Sequence, residues 1–262
     1  TIKVLGVDRD NEAIGFTQEK LKKYSNRLQI IHSNFKEITS VLKNRGEKAD
    51  GILLDLGVSS HQIDDESRGF SFRFDSALDM RMDKTQELTA HDVVNNYSEN
   101  ALVEIFSAFG EEKFSKRIAR GIVASRPINT TGELKQTIEN IVNKINRKES
   151  PSSVQRVFQA IRIEVNSELS GLYDFILSLP EVLNKGARIA IISFHSLEDR
   201  IVKNAFNVLN KDCVCPPRSP ICVCNHRAKV KIITKKPITA TAEELKLNSR
   251  SAPAKLRVAE II

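Results

Sequence analysis

Three short apolar runs, residues 2–7, 27–32 and 52–54, end at Asp8, at Ser33-Asn34-Phe35 and at Asp55. The ends fall about 25 residues apart, the spacing of βαβ units that build a parallel sheet. Residues 11–24 carry helical spacing in Ala13, Phe16 and Leu21, and Ile38 with Leu42 mark a short helix before the third run. That third run is too short for a helix and reads as an inner strand of the sheet. Strand rhythm resumes at residues 188–194, 229–234 and 255–261. A helix opening after His195-Ser196 carries Ile201 and Phe206, with Ser196 as its expected cap and Asp199 three positions on.

Residues 88–179 break this rhythm and read as helical. Leu102, Ile105, Phe106 and Phe109, then Phe114, Ile118 and Ile122, keep a helical period across Gly110. Thr130 and Glu133 have capping-box spacing before Leu134, Ile138, Ile141 and Ile145. Val154, Phe158, Ile161 and Val165 lead into Leu169, Leu172 and Ile176, and Pro180 ends the run. The expectation is an α/β domain of residues 1–60 and 166–262, interrupted by an all-helical insertion of residues 61–165.

Chemistry is concentrated in residues 51–83, where a strand ends in Asp55 and runs into a long polar loop. Ligands of open α/β sheets bind outside the carboxyl ends of the strands, which puts Asp55 on the binding rim. The alternative for Asp55 is capping of a following helix, and no periodic helix follows it in the sequence. Ser59 and Ser60 sit on the next turn. The loop beyond mixes Asp64, Asp65, Arg68, Arg73 and Arg81 with Phe70 and Phe72, and a long loop with aromatics favours a functional, packed segment over a disordered one.

The chain has 262 residues and a formal charge of +7, so its surface leans towards an anionic partner. No apolar run approaches the ~20 residues of a spanning helix, and no charged-then-apolar leader opens the chain, so a soluble cytoplasmic protein is expected. Lys113, Lys116, Arg117 and Arg120 form a basic stripe on a predicted helix, with Arg156 and Arg162 as extensions. A stripe of this kind is either a solvated face or a row of phosphate contacts.

Cys213, Cys215, Cys222 and Cys224 form C-x-C-x6-C-x-C beside His226. Four thiolates could hold a structural zinc, although C-x-C is a poorer clamp than C-x-x-C and prolines fill the loop; the alternative is free thiols. His195 follows a strand end and reads as a packed or capping residue. There is no G-x-S-x-G elbow, P-loop or H-E-x-x-H. None of Tyr24, Tyr97 or Tyr173 has a lysine four residues on, which argues against a short-chain dehydrogenase.

LDLGVSS, GFSFR, LDMRMD, YSEN, FGEEKFSKRIARGIV, FQAIRIEVNSEL, ISFHSLEDRIVK, IITKKPI and AKLRVAE run in that order through the chain. Together they resemble the bacterial 16S ribosomal RNA cytosine-N4 methyltransferases. The resemblance implies a Rossmann-like class I S-adenosylmethionine-binding domain with an inserted helical substrate domain. It also implies methylation of the exocyclic amine of a cytosine in the decoding centre of the small ribosomal subunit, with no metal required. By position, Asp8 would take the ribose hydroxyls of the cofactor and Phe35 would flank adenine. Asp55 would lie beside the methyl end, and Gln62 would also touch the cofactor. Asp55 with Ser59 or Ser60 would orient the target amine. Phe70 or Phe72 would stack on a cytosine drawn from its helix.

The sequence departs from the family in two places. Ser152-Ser153-Val154 stands where the family has His-Pro-Ala, and the family's first strand and Gly-rich loop have no counterpart before Thr1. A gap between the strands ending at Asp8 and Asp55, or a direct pairing of them, is therefore expected. The alternative function is a catalytically silent rRNA-binding or ribosome-assembly protein.

Overall fold

The computed structural model describes residues 2–216 and 221–262; Pro217 and Pro220, in the loop between the cysteine pairs, lie outside the described residues. In chain order the strands are β1 (Val4–Asp8), β2 (Leu28–His32), β3 (Ala49–Asp55), β4 (Leu183–Ser193), β5 (Val230–Ile232), β6 (Ile238–Thr239) and β7 (Lys255–Ile261). The α-helices are α1 (Asn11–Lys20), α2 (Ile38–Arg45), α3 (Ser60–Asp64), α4 (Ala90–Asn96), α5 (Glu99–Ala108), α6 (Ser115–Ala124), α7 (Thr131–Asn146), α8 (Ser150–Asn166), α9 (Leu172–Ser178), α10 (Ser196–Leu209) and α11 (Ala242–Leu247). The result is the mixed α/β architecture expected of a Rossmann-like class I methyltransferase. Two compact units share the chain: Thr1–Asp8, Leu21–Gly57 and Leu169–Ile262 form one, and Arg9–Lys20 with Val58–Glu168 form the other.

In the first unit β1 and β2 make a parallel ladder of their own, from Val4 opposite Leu28 to Asp8 opposite His32. A second sheet runs β3-β4-β7-β5, parallel between β3 and β4 and antiparallel from β4 onwards, with β6 also paired to β7. No ladder joins β1 to β3 among the described residues, which is the gap alternative of the sequence expectation. The inner-strand reading of residues 52–54 needs correcting on this point. Among the described residues β3 pairs with β4 alone, so it lies at the sheet's edge, and Leu53 is 66% exposed. The core is built where β4 and β7 alternate inward, through Ile189, Ile191, Ala259 and Ile261. Onto them pack Val202, Ala205, Phe206 and Leu209 of α10, at i, i+3, i+4 and i+7, and Leu172, Phe175 and Ile176 of α9.

The second unit is helical apart from its loops. α8 is buried almost all round, through Val154, Val157, Phe158, Ala160, Ile161, Ile163 and Val165, as suits the helix at the centre of a bundle. The capping box at Thr130 and Glu133 forms as its spacing predicts. The helical period across Gly110 does not mean one helix: α5 stops at Ala108 and α6 starts at Ser115. A Cβ at Gly110 would lie 2.8 Å from the carbonyl oxygens of both Phe106 and Arg156, so only glycine admits this close approach. α1 also departs from expectation. It belongs with the helical unit, ends at Lys20, and buries Ile14 while Phe16 faces solvent.

Candidate functional site

Asp55 closes β3 opposite Ile192 of β4, and the Leu56 amide donates to the Ile192 carbonyl at 3.0 Å. The chain then turns at Gly57, whose φ of +85° favours glycine. Beside it, β4 runs through Phe194 and His195 into α10. The cap there is His195, not Ser196, and the residue that completes the box is Glu198, not Asp199. Glu198 Oε2 accepts from the amides of Phe194 (2.8 Å) and His195 (3.3 Å), which holds a carboxylate almost fully buried. Asp199 instead pairs with Arg257 at 2.6 Å and Lys255 at 3.7 Å. Asp55 is exposed at the strand end, and partial desolvation, then the nearby charge of Glu198, push its carboxyl above the usual carboxylate range.

The other two strand ends of this unit carry the remaining residues expected there. Asp8 is exposed at the end of β1, and its carbonyl accepts from the Ser33 amide at 2.9 Å. Phe35 follows β2, half-buried, with its ring edge-on to Phe175 at 5.2 Å and Lys36 Nζ 5.9 Å from its centroid.

In the helical unit a short helix, α3, does follow the turn, contrary to the sequence reading. Its cap is Ser59: Ser59 Oγ accepts from the Gln62 amide at 3.1 Å and Gln62 Oε1 accepts from the Ser59 amide at 2.9 Å. Gln62 Nε2 donates to Asp10 Oδ2 at 2.6 Å. Both ends of this buried side chain are thus engaged within the protein. Ser60 is the first residue of α3 and is exposed.

Arg68 is the residue that sequence reasoning missed most plainly. Only 1% exposed, its guanidinium donates to Asp10 (2.8 Å), Glu12 (2.7 Å) and the carbonyls of Arg81 and Met82 (both 3.0 Å). Lys84 also reaches Glu12, at 2.7 Å. Asn166 continues the bracing, accepting from the Met82 amide at 2.8 Å and donating to the Met80 carbonyl at 2.7 Å. Burial works to raise the pKa of Asp10, but hydrogen bonds from Arg68 and Gln62 overcome it and hold the carboxyl below the usual range. The loop 61–83 is therefore a fixed structure.

The proposed nucleic-acid contacts are placed unevenly. Lys116, Arg117 and Arg120 project from α6 into solvent, opposite buried Ile118, Ala119 and Ile122; Lys113 is exposed just ahead of the helix. Arg120 lies 3.6 Å from Glu99. Arg156 faces inward, with Nε donating to buried Glu112 at 2.7 Å and a terminal nitrogen 3.4 Å from Glu149. Phe70 and Phe72 are half-buried against the helical core. Phe72 stands edge-on to Phe158 at 5.2 Å, and Phe70 has the Arg68 guanidinium 5.9 Å from its centroid. No helix among the described residues is long and apolar enough to cross a membrane.

Residues 1–262 match the MraW methylase family. The chain is 50% identical over 262 residues to the ribosomal RNA small subunit methyltransferase H of Clostridioides difficile, covering 98% of this chain and 84% of the relative. It is 47% identical over 265 residues to the protein of that name from Finegoldia magna, covering 99% and 85%. With its namesake from Halothermothrix orenii the identity is 50% over 261 residues, covering 98% and 84%.

Proposed function

The chain belongs to the MraW methylase family, and on that basis we propose that it is an S-adenosylmethionine-dependent ribosomal RNA methyltransferase. The position we assign to it is the exocyclic N4 of a cytosine in the decoding centre of 16S rRNA, on the small ribosomal subunit in the cytoplasm. The match over residues 1–262 supports the methyltransferase reading. We assign cofactor binding to the sheet-bearing unit and RNA recognition to the helical one.

The residues of the sheet unit suit that cofactor. Asp8 offers carboxylate oxygens to a ribose diol, Phe35 an aromatic ring to a purine, and Asp55 a negative charge to a cationic methyl donor. When bound, the cofactor supplies a sulfonium methyl for attack by the cytosine amine. That amine is a weak nucleophile because its lone pair is delocalised into the ring. Asp55 accepts a hydrogen bond from an amine N–H, fixes its orientation, and takes up the proton that must leave N4. Its raised pKa makes it the better acceptor. Gln62, with its amide shared between Ser59 and Asp10, positions α3. If the Ser59 and Ser60 hydroxyls orient the target amine, Ser59→Ala and Ser60→Ala should each slow methyl transfer.

The direct test is transfer of labelled methyl from S-adenosylmethionine to small subunits that lack the modification, with the product nucleoside identified by mass spectrometry. N4-methylcytidine is the expected product. Tight rRNA binding without transfer would favour the assembly-protein alternative, and label on another nucleoside would overturn the N4 assignment.

Reversing Lys116, Arg117 and Arg120 to Glu should weaken rRNA binding and flatten its salt dependence. Each lost phosphate contact should lower the slope of log K against log salt by about one unit. A filter-binding salt series with an unchanged slope would make the stripe a solvated face.

A further inference from the structure

We propose that Cys213, Cys215, Cys222 and Cys224 bind a single structural zinc ion. The four sulfurs lie within 4.8 Å of one another. Cys222 Sγ is 3.5 Å from Cys213 Sγ and 3.6 Å from Cys224 Sγ, and the Cys213 and Cys224 sulfurs are 3.7 Å apart. A disulfide would need about 2.05 Å, and all four thiols are free. Tetrahedral zinc with Zn–S bonds of about 2.3 Å places its sulfurs about 3.8 Å apart, close to what is seen. An iron–sulfur cluster distributes its cysteines over several irons and demands wider spacing.

In each C-x-C pair the intervening valine is open to solvent: Val214 and Val223 are exposed, as is Ile221. Backbone amides also support the sulfurs, one across the two pairs and one within the first. The Val214 amide points at Cys224 Sγ and the Cys215 amide at Cys213 Sγ, each at 3.4 Å. Such N–H···S contacts orient thiolate ligands in metal sites.

Among the described residues no helix or strand lies between α10 and β5, and the loop's large apolar side chains face solvent rather than a core. Its base is tied by Lys229 N to the Leu209 carbonyl (2.7 Å), Ala228 N to Asp212 Oδ1 (3.2 Å) and His226 Nε2 to the Val208 carbonyl (3.0 Å). That last contact occupies His226, which leaves the ligand set as four cysteines. Such a site is closed and therefore structural, with no coordination position open for catalysis.

Metal analysis of the full chain purified without chelator should find about one zinc per chain. Replacing Cys213 and Cys222 together by Ser should reduce this to under about a tenth, whereas His226→Gln should keep the metal. If the double variant fails to fold, cobalt titration of the unaltered chain decides. An intense charge-transfer band with the visible bands of tetrahedral cobalt, reversed by zinc, supports the site. Weak octahedral cobalt bands, bound iron in place of zinc, zinc that survives the double substitution, or loss of zinc in His226→Gln would overturn the proposal.

Discussion

Replacing Asp55 by Asn is expected to cut methyl transfer on the order of 10²-fold or more in kcat/KM and, in the same protein, to raise the melting temperature at neutral pH. Both effects come from one carboxylate kept beside another. Partial desolvation and the charge of Glu198 raise the pKa of this solvent-exposed carboxyl in the folded protein, so the effect on stability is small and screened by solvent. A carboxyl whose folded pKa is raised contributes stability that is fully present below its unfolded pKa and lost as pH rises through the folded value. At neutral pH the ionised side chain therefore opposes folding, and an isosteric amide relieves it while removing the proton acceptor. Melting curves of both proteins over a pH series should converge as the pH falls through the carboxylate range. Retained turnover would remove Asp55 from the chemistry, and a lower melting temperature at pH 7 would contradict the electrostatic account.

Arg68→Met should have the opposite profile, a large loss of stability with its cause outside the transfer step. Removing one partner of a buried ion pair leaves the other uncompensated, which costs roughly 3–5 kcal/mol. Here the stranded group is Asp10, 4% exposed and pointing at the vacated guanidinium site. Because the folded pKa of Asp10 is lowered, its contribution is present above the unfolded pKa and lost as pH falls through the folded one. Urea unfolding should thus show the variant weaker at neutral pH and less sensitive to acid than the parent. Adding Asp10→Asn to Arg68→Met should recover part of the loss. Equal stability of parent and single variant would mean that the loop 61–83 is held by something other than this network.

The strand ends at Asp8 and Asp55 were legible because a short apolar run with a polar stop is a local signal. The box at Thr130 and Glu133 was legible for the same reason. An identical spacing one position earlier, at His195 and Glu198, is masked by Ser196 and Asp199, because serine is the commoner cap, and with it the carboxylate beside Asp55. Arg68 could not be found this way. A charged residue in a polar loop reads as solvated, and its partners Asp10 and Glu12 lie 58 and 56 positions away in the chain. The face of α1 failed on a smaller scale, since Ala13, Phe16 and Leu21 match a helical period as well as Ile14 does, and tertiary packing chose Ile14. For the cysteines the spacing was visible but the loop path that brings all four sulfurs within 4.8 Å of one another was not.

The division of the strands into two ladders has a consequence for amide hydrogen exchange. β4 is hydrogen-bonded on both flanks, to β3 and β7, so exposing its amides requires dismantling the sheet. Among the described residues β1 and β2 pair only with each other, over five residue pairs, and should open at a free energy below that of global unfolding. Asp8 stands at the end of this weaker ladder, whereas Asp55 belongs to the firmer one. A ligand held by Asp8 adds RT ln(1 + [L]/Kd) to the opening free energy, about 2.7 kcal/mol at a hundredfold excess over Kd. Cofactor occupancy should therefore register as slowed exchange in Val4–Asp8 and Leu28–His32, with the amides of β4 as an internal reference that hardly moves.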